Sequence, residues 1–214
     1  NFLSKVLDSY ESPYLAIIGG AKVSTKLELI KHINNVAENI IVGGGIANTF
    51  ICAAGFKVGK SLFEESMIDV AKAILDEGKI LLPKKVVTSN SFEGSNVQEK
   101  SIADIEDNEM ILDLILENET HTIINSAKTI LWNGPMGVFE NELFEEGTKT
   151  LSQAISSSSA FSIAGGGETL SAINKYINKD DVSYCSTGGG AFLEFMEGKT
   201  LPSIKALNAK NTEE

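Results

Sequence analysis

Residues Tyr14-Leu15-Ala16-Ile17-Ile18-Gly19-Gly20-Ala21-Lys22-Val23-Ser24-Thr25-Lys26 read as a strand, a tight turn and the start of a helix. The first five are apolar without alternation, as a strand buried on both faces of a parallel sheet must be. Two glycines then interrupt the run, and Val23, Leu27, Ile30 and the later Val36 mark one helical face. The same order recurs downstream. Asn39-Ile40-Ile41-Val42 leads into Gly43–Gly45, Ala160–Ala164 into Gly165–Gly167, and Val182–Ser186 into Gly188–Gly190. Eleven of the 19 glycines sit in these four runs. The first two runs start 24 residues apart and the last two 23, room for one strand, one helix and their turns. Repeated strand–turn–helix units predict an α/β domain with a doubly wound, mainly parallel, Rossmann-like sheet and helices on both faces.

Other elements follow from pattern. Lys79–Leu82, Lys85–Thr88 and Lys128–Trp132 are strand candidates. Leu62–Leu75 is the cleanest helix, ending near Gly78, and further helices are expected over roughly 107–125, 144–157, 169–177 and 190–196. Residues 89–106 read as a polar loop, and no segment reads as a linker, so one domain over 1–214 is expected.

Composition narrows the function. The chain carries a formal charge of −11, its 18 basic residues are all Lys, and Arg is absent. Residues 93–147 hold thirteen acids against Lys100 and Lys128, and the remainder balances. Such a chain is a poor nucleic-acid binder, because counterion release and guanine readout both need cationic side chains. No apolar run approaches the ~20 residues of a bilayer span. Cys52 and Cys185 lie outside any CxxC pattern, which suits a reducing, cytoplasmic compartment. The start at Asn1-Phe2-Leu3-Ser4-Lys5, without Met, is the start expected of a fragment.

In an open parallel sheet ligands bind beyond the carboxyl ends of the strands, where all four glycine runs should meet. Bare amides at helix starts suit an anion. Lys22 and Lys26, at i and i+4, would add ammonium groups on one helix face. Trp132-Asn133-Gly134-Pro135-Met136-Gly137-Val138-Phe139-Glu140 forms a third informative turn, ending in a carboxylate able to accept ribose hydroxyls. Two familiar phosphate motifs fail. Ala54–Ser61 satisfies a relaxed P-loop pattern, but the residues before it look helical, so it reads as an inter-helix turn. Gly43–Asn48 and Gly165–Leu170 both lack the last glycine of the dinucleotide fingerprint, which argues against an NAD-dependent oxidoreductase. His32 and His121 have no partner in a metal pattern.

Taken in order, Gly19–Lys26, Gly43–Phe50, Trp132–Glu140, Gly165–Thr169 and Ser186–Ala191 resemble the motifs of the phosphoglycerate kinase family, specifically its C-terminal, nucleotide-binding half. The resemblance implies reversible phosphoryl transfer between 1,3-bisphosphoglycerate and ADP, with Mg²⁺. It implies that Lys22, Gly167 and Gly190 face the transferring group and that Lys26 contacts nucleotide phosphate. Gly20, Ala21, Gly44, Gly45 and Leu62 would border adenine and ribose, with Asn133 and Pro135 nearby, and Glu140 would hold the ribose. Gly166, Gly167, Glu168 and Thr169 would cradle phosphate and metal, with Glu168 as the metal ligand. The N-terminal lobe, which in the family binds 3-phosphoglycerate, is absent. The chain alone is therefore expected to bind Mg-ADP or Mg-ATP as a monomer with little turnover. The alternative is a non-catalytic interaction module on the same fold. The chain departs from the family pattern at three places. Glu168 and Thr25 stand where Asp is usual, and Asp113-Leu114-Ile115-Leu116 replaces an Asp-Ile-Gly-Pro-like turn.

Overall fold

A computed structural model describes residues 9–197, so the opening Asn1–Lys5 lies outside the described residues. Strand β1 (Tyr14–Gly19) is buried at every residue and sits at the middle of the main sheet. It is followed by α1 (Val23–Asn34), β2 (Asn39–Gly43), α2 (Gly44–Ala53), a 3₁₀ turn at Glu65–Met67, α3 (Ile68–Leu75) and β3 (Ile80–Leu81). Then come β4 (Lys85–Ser89), β5 (Gln98–Ser101), β6 (Met110–Leu114) and α4 (Asn118–Ser126). The remainder is β7 (Thr129–Asn133), α5 (Glu146–Ser157), β8 (Phe161–Gly165), α6 (Gly167–Tyr176), β9 (Tyr184–Ser186) and α7 (Gly189–Met196).

The main sheet has six strands in the order β3-β2-β1-β7-β8-β9, all parallel. From β1 the chain steps outward one way to β3, and from β7 it steps outward the other way to β9. Right-handed crossovers in opposite directions put the helices of the two halves on opposite faces. The order reverses between β1 and β7, and a ligand crevice forms at such a reversal, beyond the carboxyl ends. The core between sheet and helices is aliphatic. Leu15, Ile17, Ile18, Ile40, Leu131 and Trp132 from the strands meet Ile30, Phe50, Leu151 and Ile173 from the helices. Each such side chain contributes roughly 1.5–3 kcal/mol on leaving water.

Four sequence expectations are corrected. Residues 107–125 are not one helix: β6 occupies 110–114 and α4 begins only at Asn118. The supposed loop 89–106 contains β5 and a 3₁₀ turn at Ile102–Asp104. Together β5, β4 and β6 form a second, antiparallel sheet, so the strand expected at Lys85–Thr88 belongs there and not to the main sheet. The physical reason is that Met110-Ile111-Leu112 fits either period, and pairing with β4 decided it. The helix expected from Leu62 begins late, because Asn48 Nδ2 donates to the Leu62 carbonyl and the Glu64 amide donates to Thr49 Oγ1. Those bonds hold 62–64 extended before the 3₁₀ turn.

The turn after β7 passes directly over the ends of β1 and β2. A Cβ at Gly19 would stand 2.1 Å from the Pro135 carbonyl oxygen, and one at Gly43 would stand 2.2 Å from the same atom. Gly134 has φ +108°, and its Cβ would lie 2.3 Å from the Gly19 oxygen. Gly134→Ala combines a left-handed backbone with a backbone clash, and an expected loss of about 2–5 kcal/mol follows. Urea unfolding followed by the fluorescence of Trp132 measures it; a loss under about 1 kcal/mol would mean that the crossing can relax.

Candidate functional site

A cleft of about 280 Å³ opens where the carboxyl ends of β1 and β2 meet the turn after β7. Gly20, Ala21, Gly44 and Gly45 contribute from the first two strand ends, and Pro135, Met136, Gly137, Val138 and Glu140 from the β7 turn. The second sheet supplies Met110 to Leu114, all of β6. Asn48, Lys60, Leu62, Phe92 and Glu168 complete the lining. Leu62 and Phe92 are 56% and 58% exposed, the two most exposed large apolar side chains among the described residues, and both line this cleft.

Beside the cleft lies a polar edge. Lys22 is the N-cap residue of α1 and is exposed. Lys26, one turn on, is half-buried; its Nζ donates to the Gly19 carbonyl, and a Cβ at Gly20 would sit 3.3 Å from that nitrogen. Gly166 and Gly167 open α6, with Glu168 exposed in its first turn. Thr169 is buried and accepts the Gly134 amide at 2.8 Å through Oγ1. Asn133 ends β7, buried, with Nδ2 donating to the Gly165 carbonyl at 2.8 Å and Oδ1 unpaired. Thus Asn133 and Thr169 knit the ends of β7 and β8 together rather than line the cleft. Gly190 is exposed in the first turn of α7, and a Cβ at its neighbour Gly189 would stand 4.0 Å from Gly166. All four glycine runs therefore share one sheet edge. Of the expected site residues, Gly20, Ala21, Gly44, Gly45, Leu62, Pro135, Glu140 and Glu168 line the cleft. Lys22, Lys26, Asn133, Gly166, Gly167, Thr169 and Gly190 do not.

Sequence reading missed Asn48, Lys60, Phe92 and the β6 wall. Phe92 falls in the segment read as a loop and β6 in the segment read as a helix; the signal for Phe92 is an aromatic residue in an otherwise polar stretch, and the apolar run Met110-Ile111-Leu112 suits a strand as well as a helix. Within β6, Asp113 is buried and accepts the Gly147 amide at 2.8 Å and the Leu114 amide at 2.9 Å. Burial lifts its carboxyl to about 7 against those two bonds, aided by Glu146 and Glu145. The turn carrying Glu140 is braced from behind. Lys175 Nζ donates to the Phe139 carbonyl at 2.9 Å and pairs with Glu145 at 2.8 Å.

The family profile described as phosphoglycerate kinase matches residues 1–199. The chain belongs to the phosphoglycerate kinase family. Phosphoglycerate kinases of Psychrobacter sp. (strain PRwf-1) and Vibrio campbellii are 51% and 50% identical to it, over 98% and 97% of this chain but 56% and 55% of their own lengths. The chain thus spans about half the length of these curated relatives. The structure of phosphoglycerate kinase from Coxiella burnetii superposes with TM-score 0.92 at 42% identity, over 97% of this chain and 56% of that one. The phosphoglycerate kinase of Pyrococcus horikoshii OT3 gives 0.81 at 33%, over 97% and 54%. The mainly parallel α/β sheet is the fold of these phosphoglycerate kinases. Among the described residues no helix is long and apolar enough to cross a membrane, and no three His, Cys, Asp or Glu residues are placed to hold a metal by themselves.

Dehydration lowers the Lys26 ammonium from 10.5 to about 8, against the opposing pull of Glu168. Between about pH 8 and pH 10.5 the unfolded chain holds a proton there that the folded chain has released, so this group's contribution to stability rises with pH across that window. Lys26→Met removes the effect. The gain in unfolding free energy from about pH 7.5 to about pH 9.5 should be smaller in the variant than in the parent by urea denaturation; equal gains would show that Lys26 is not dehydrated.

Proposed function

We propose that residues 1–214 are the nucleotide-binding C-terminal half of a two-lobed, cytoplasmic phosphoglycerate kinase. That enzyme moves a phosphoryl group reversibly between 1,3-bisphosphoglycerate and ADP, giving 3-phosphoglycerate and ATP. The observation that carries the reading is the division of the cleft: exposed Leu62 and Phe92 stand at the apolar lining, and the glycine-ended strands with Lys22 and Lys26 form the adjoining polar edge. An adenine ring fits between apolar faces, and base–aromatic contacts contribute about 1–3 kcal/mol. Glu140, at the lining of the same cleft and exposed, accepts the ribose hydroxyls.

Phosphoryl transfer asks for positioning and charge stabilisation more than covalent help from the protein. In this chain Gly166, Gly167 and Thr169 bring helix-start amides to the phosphates, where bare N–H groups favour anions. Lys26 contacts nucleotide phosphate. Its lowered proton affinity rises again beside a polyphosphate, since an opposite charge favours the ammonium. Lys22 and the amides of Gly167 and Gly190 face the transferring group and take up charge as it moves from the acyl oxygen to the terminal ADP oxygen. The carboxylate donor set fits Mg²⁺, which binds through one or two carboxylates plus substrate phosphates and not in an all-protein cage. Glu168, exposed at the start of α6, would hold it, and Mg²⁺ would supply neutralisation of the phosphate oxygens. Thr25, whose hydroxyl donates to the Lys22 carbonyl at 2.8 Å, leaves one carboxylate fewer here than the family pattern carries, and Glu168 sets its carboxylate one methylene further from the backbone.

Calorimetry of the chain, as a monomer, should detect Mg-ADP binding. Lys26→Ala should weaken it by about ten- to a hundredfold, the scale of a lost charge-assisted bond. Absence of Mg-ADP binding in the parent would leave the non-catalytic interaction module as the reading. A coupled assay of the chain alone should give negligible turnover, because the 3-phosphoglycerate lobe and its closure are missing; turnover near that of a full-length relative would refute the division of labour.

A further inference from the structure

Helix α1 carries both lysines of the polar edge, yet its start has no ordinary cap. Lys22 makes no side-chain capping bond, and no acid occupies the first turn. The first amides are met from a distant segment. Glu64, forty residues on, accepts the Ser24 amide at 2.9 Å through Oε2 and the Ser24 hydroxyl through Oε1. Burial works to raise the Glu64 carboxyl, but the Ser24 hydroxyl, the Ser24 amide, the Lys22 ammonium and the Val23 amide outweigh it and hold the group below its usual value. Glu64 is tied on its other side as well. Its amide donates to Thr49 Oγ1 at 3.0 Å, and Asn48 Nδ2 donates to the Leu62 carbonyl at 2.9 Å. Asn48 and Thr49 are buried in α2. The strap 62–64 is therefore bolted to α2 at two points and to the start of α1 at a third, with Leu62 of the cleft at one end.

We propose that Glu64 is a positioning residue that fixes the nucleobase wall at Leu62 against the helix start presenting Lys22 and Lys26. The base and phosphate subsites then keep one separation. The inference rests on the nucleotide reading above. A ligand bound at both subsites gains from their fixed spacing, because the second contact becomes intramolecular. A ligand bound at only one subsite gains nothing from it. A cap that merely stabilised α1 would lower the unfolding midpoint and leave affinity alone in the folded protein.

Calorimetry on the parent chain and on Glu64→Ala, below the unfolding transition of each, separates these cases. Mg-ADP should bind the variant about tenfold more weakly, the scale of a lost cap and tether. Adenosine and Mg-pyrophosphate, measured separately, should change less than about threefold, and Glu64→Asp should recover part of the Mg-ADP loss. Unchanged Mg-ADP affinity overturns the proposal, as does an equal loss for adenosine, pyrophosphate and ADP. Tighter Mg-ADP binding also overturns it, since Glu64 would then only compete with phosphate for Lys22. If Glu64→Ala does not fold, Ser24→Ala, which deletes one of the two Glu64 contacts at Ser24, replaces it with the same expectations reduced in size. A parent chain that fails to bind Mg-ADP removes the nucleotide reading itself, a result distinct from a variant that binds as well as the parent.

Discussion

The structure depends on a backbone crossing. The Pro135 carbonyl rests on the ends of β1 and β2 at distances that leave no room for a Cβ at Gly19 or Gly43, and the Gly44 amide donates to the Met136 carbonyl at 2.9 Å. The crossing joins the two halves of the sheet at the place where strand order reverses. It brings the turn bearing Glu140 beside Gly20 and Gly44 and so makes one wall of the cleft. Side chains there would push the loop away and open the site, so the glycines serve packing first and ligand approach second.

Around that crossing the charges are arranged against the protein's own excess. The chain carries −11, concentrated over residues 93–147, and two of those acids, Asp113 and Glu140, line the cleft. Lys26 supplies a cation close to β1 at the expense of losing water, and Glu168 offsets part of that loss. Under the proposed reading, a partly dehydrated ammonium beside helix-start amides would draw an anion locally although the molecule as a whole is acidic. The recognition proposed here would work through short distances and not through a broad field.

Much of this was legible in the residues. Strands β1, β2, β7 and β8 are largely apolar on both faces, and their burial on both sides of a parallel sheet leaves little alternative; β9, half-buried at the sheet edge, is marked by the glycine run that follows it. The paired lysines at i and i+4 and the turn at Trp132–Glu140 were equally plain. The second sheet was not. Gln98-Glu99-Lys100-Ser101 has no apolar alternation, and it is a strand only because β4 lies beside it, with Val86 opposite Lys100. Glu109 is buried because Lys100 reaches it at 2.7 Å, a pairing nine residues apart that neither position announces.

Local sequence determined the parallel βα architecture and the shared edge of the glycine runs, because strand burial and glycine turns are short-range properties. Tertiary structure alone decided the wall of the cleft that the second sheet supplies. Phe92 and β6 reach the cleft, and Glu64 reaches the start of α1, through pairings made across tens of residues, and a contact of that range has no signature in the neighbours of either partner.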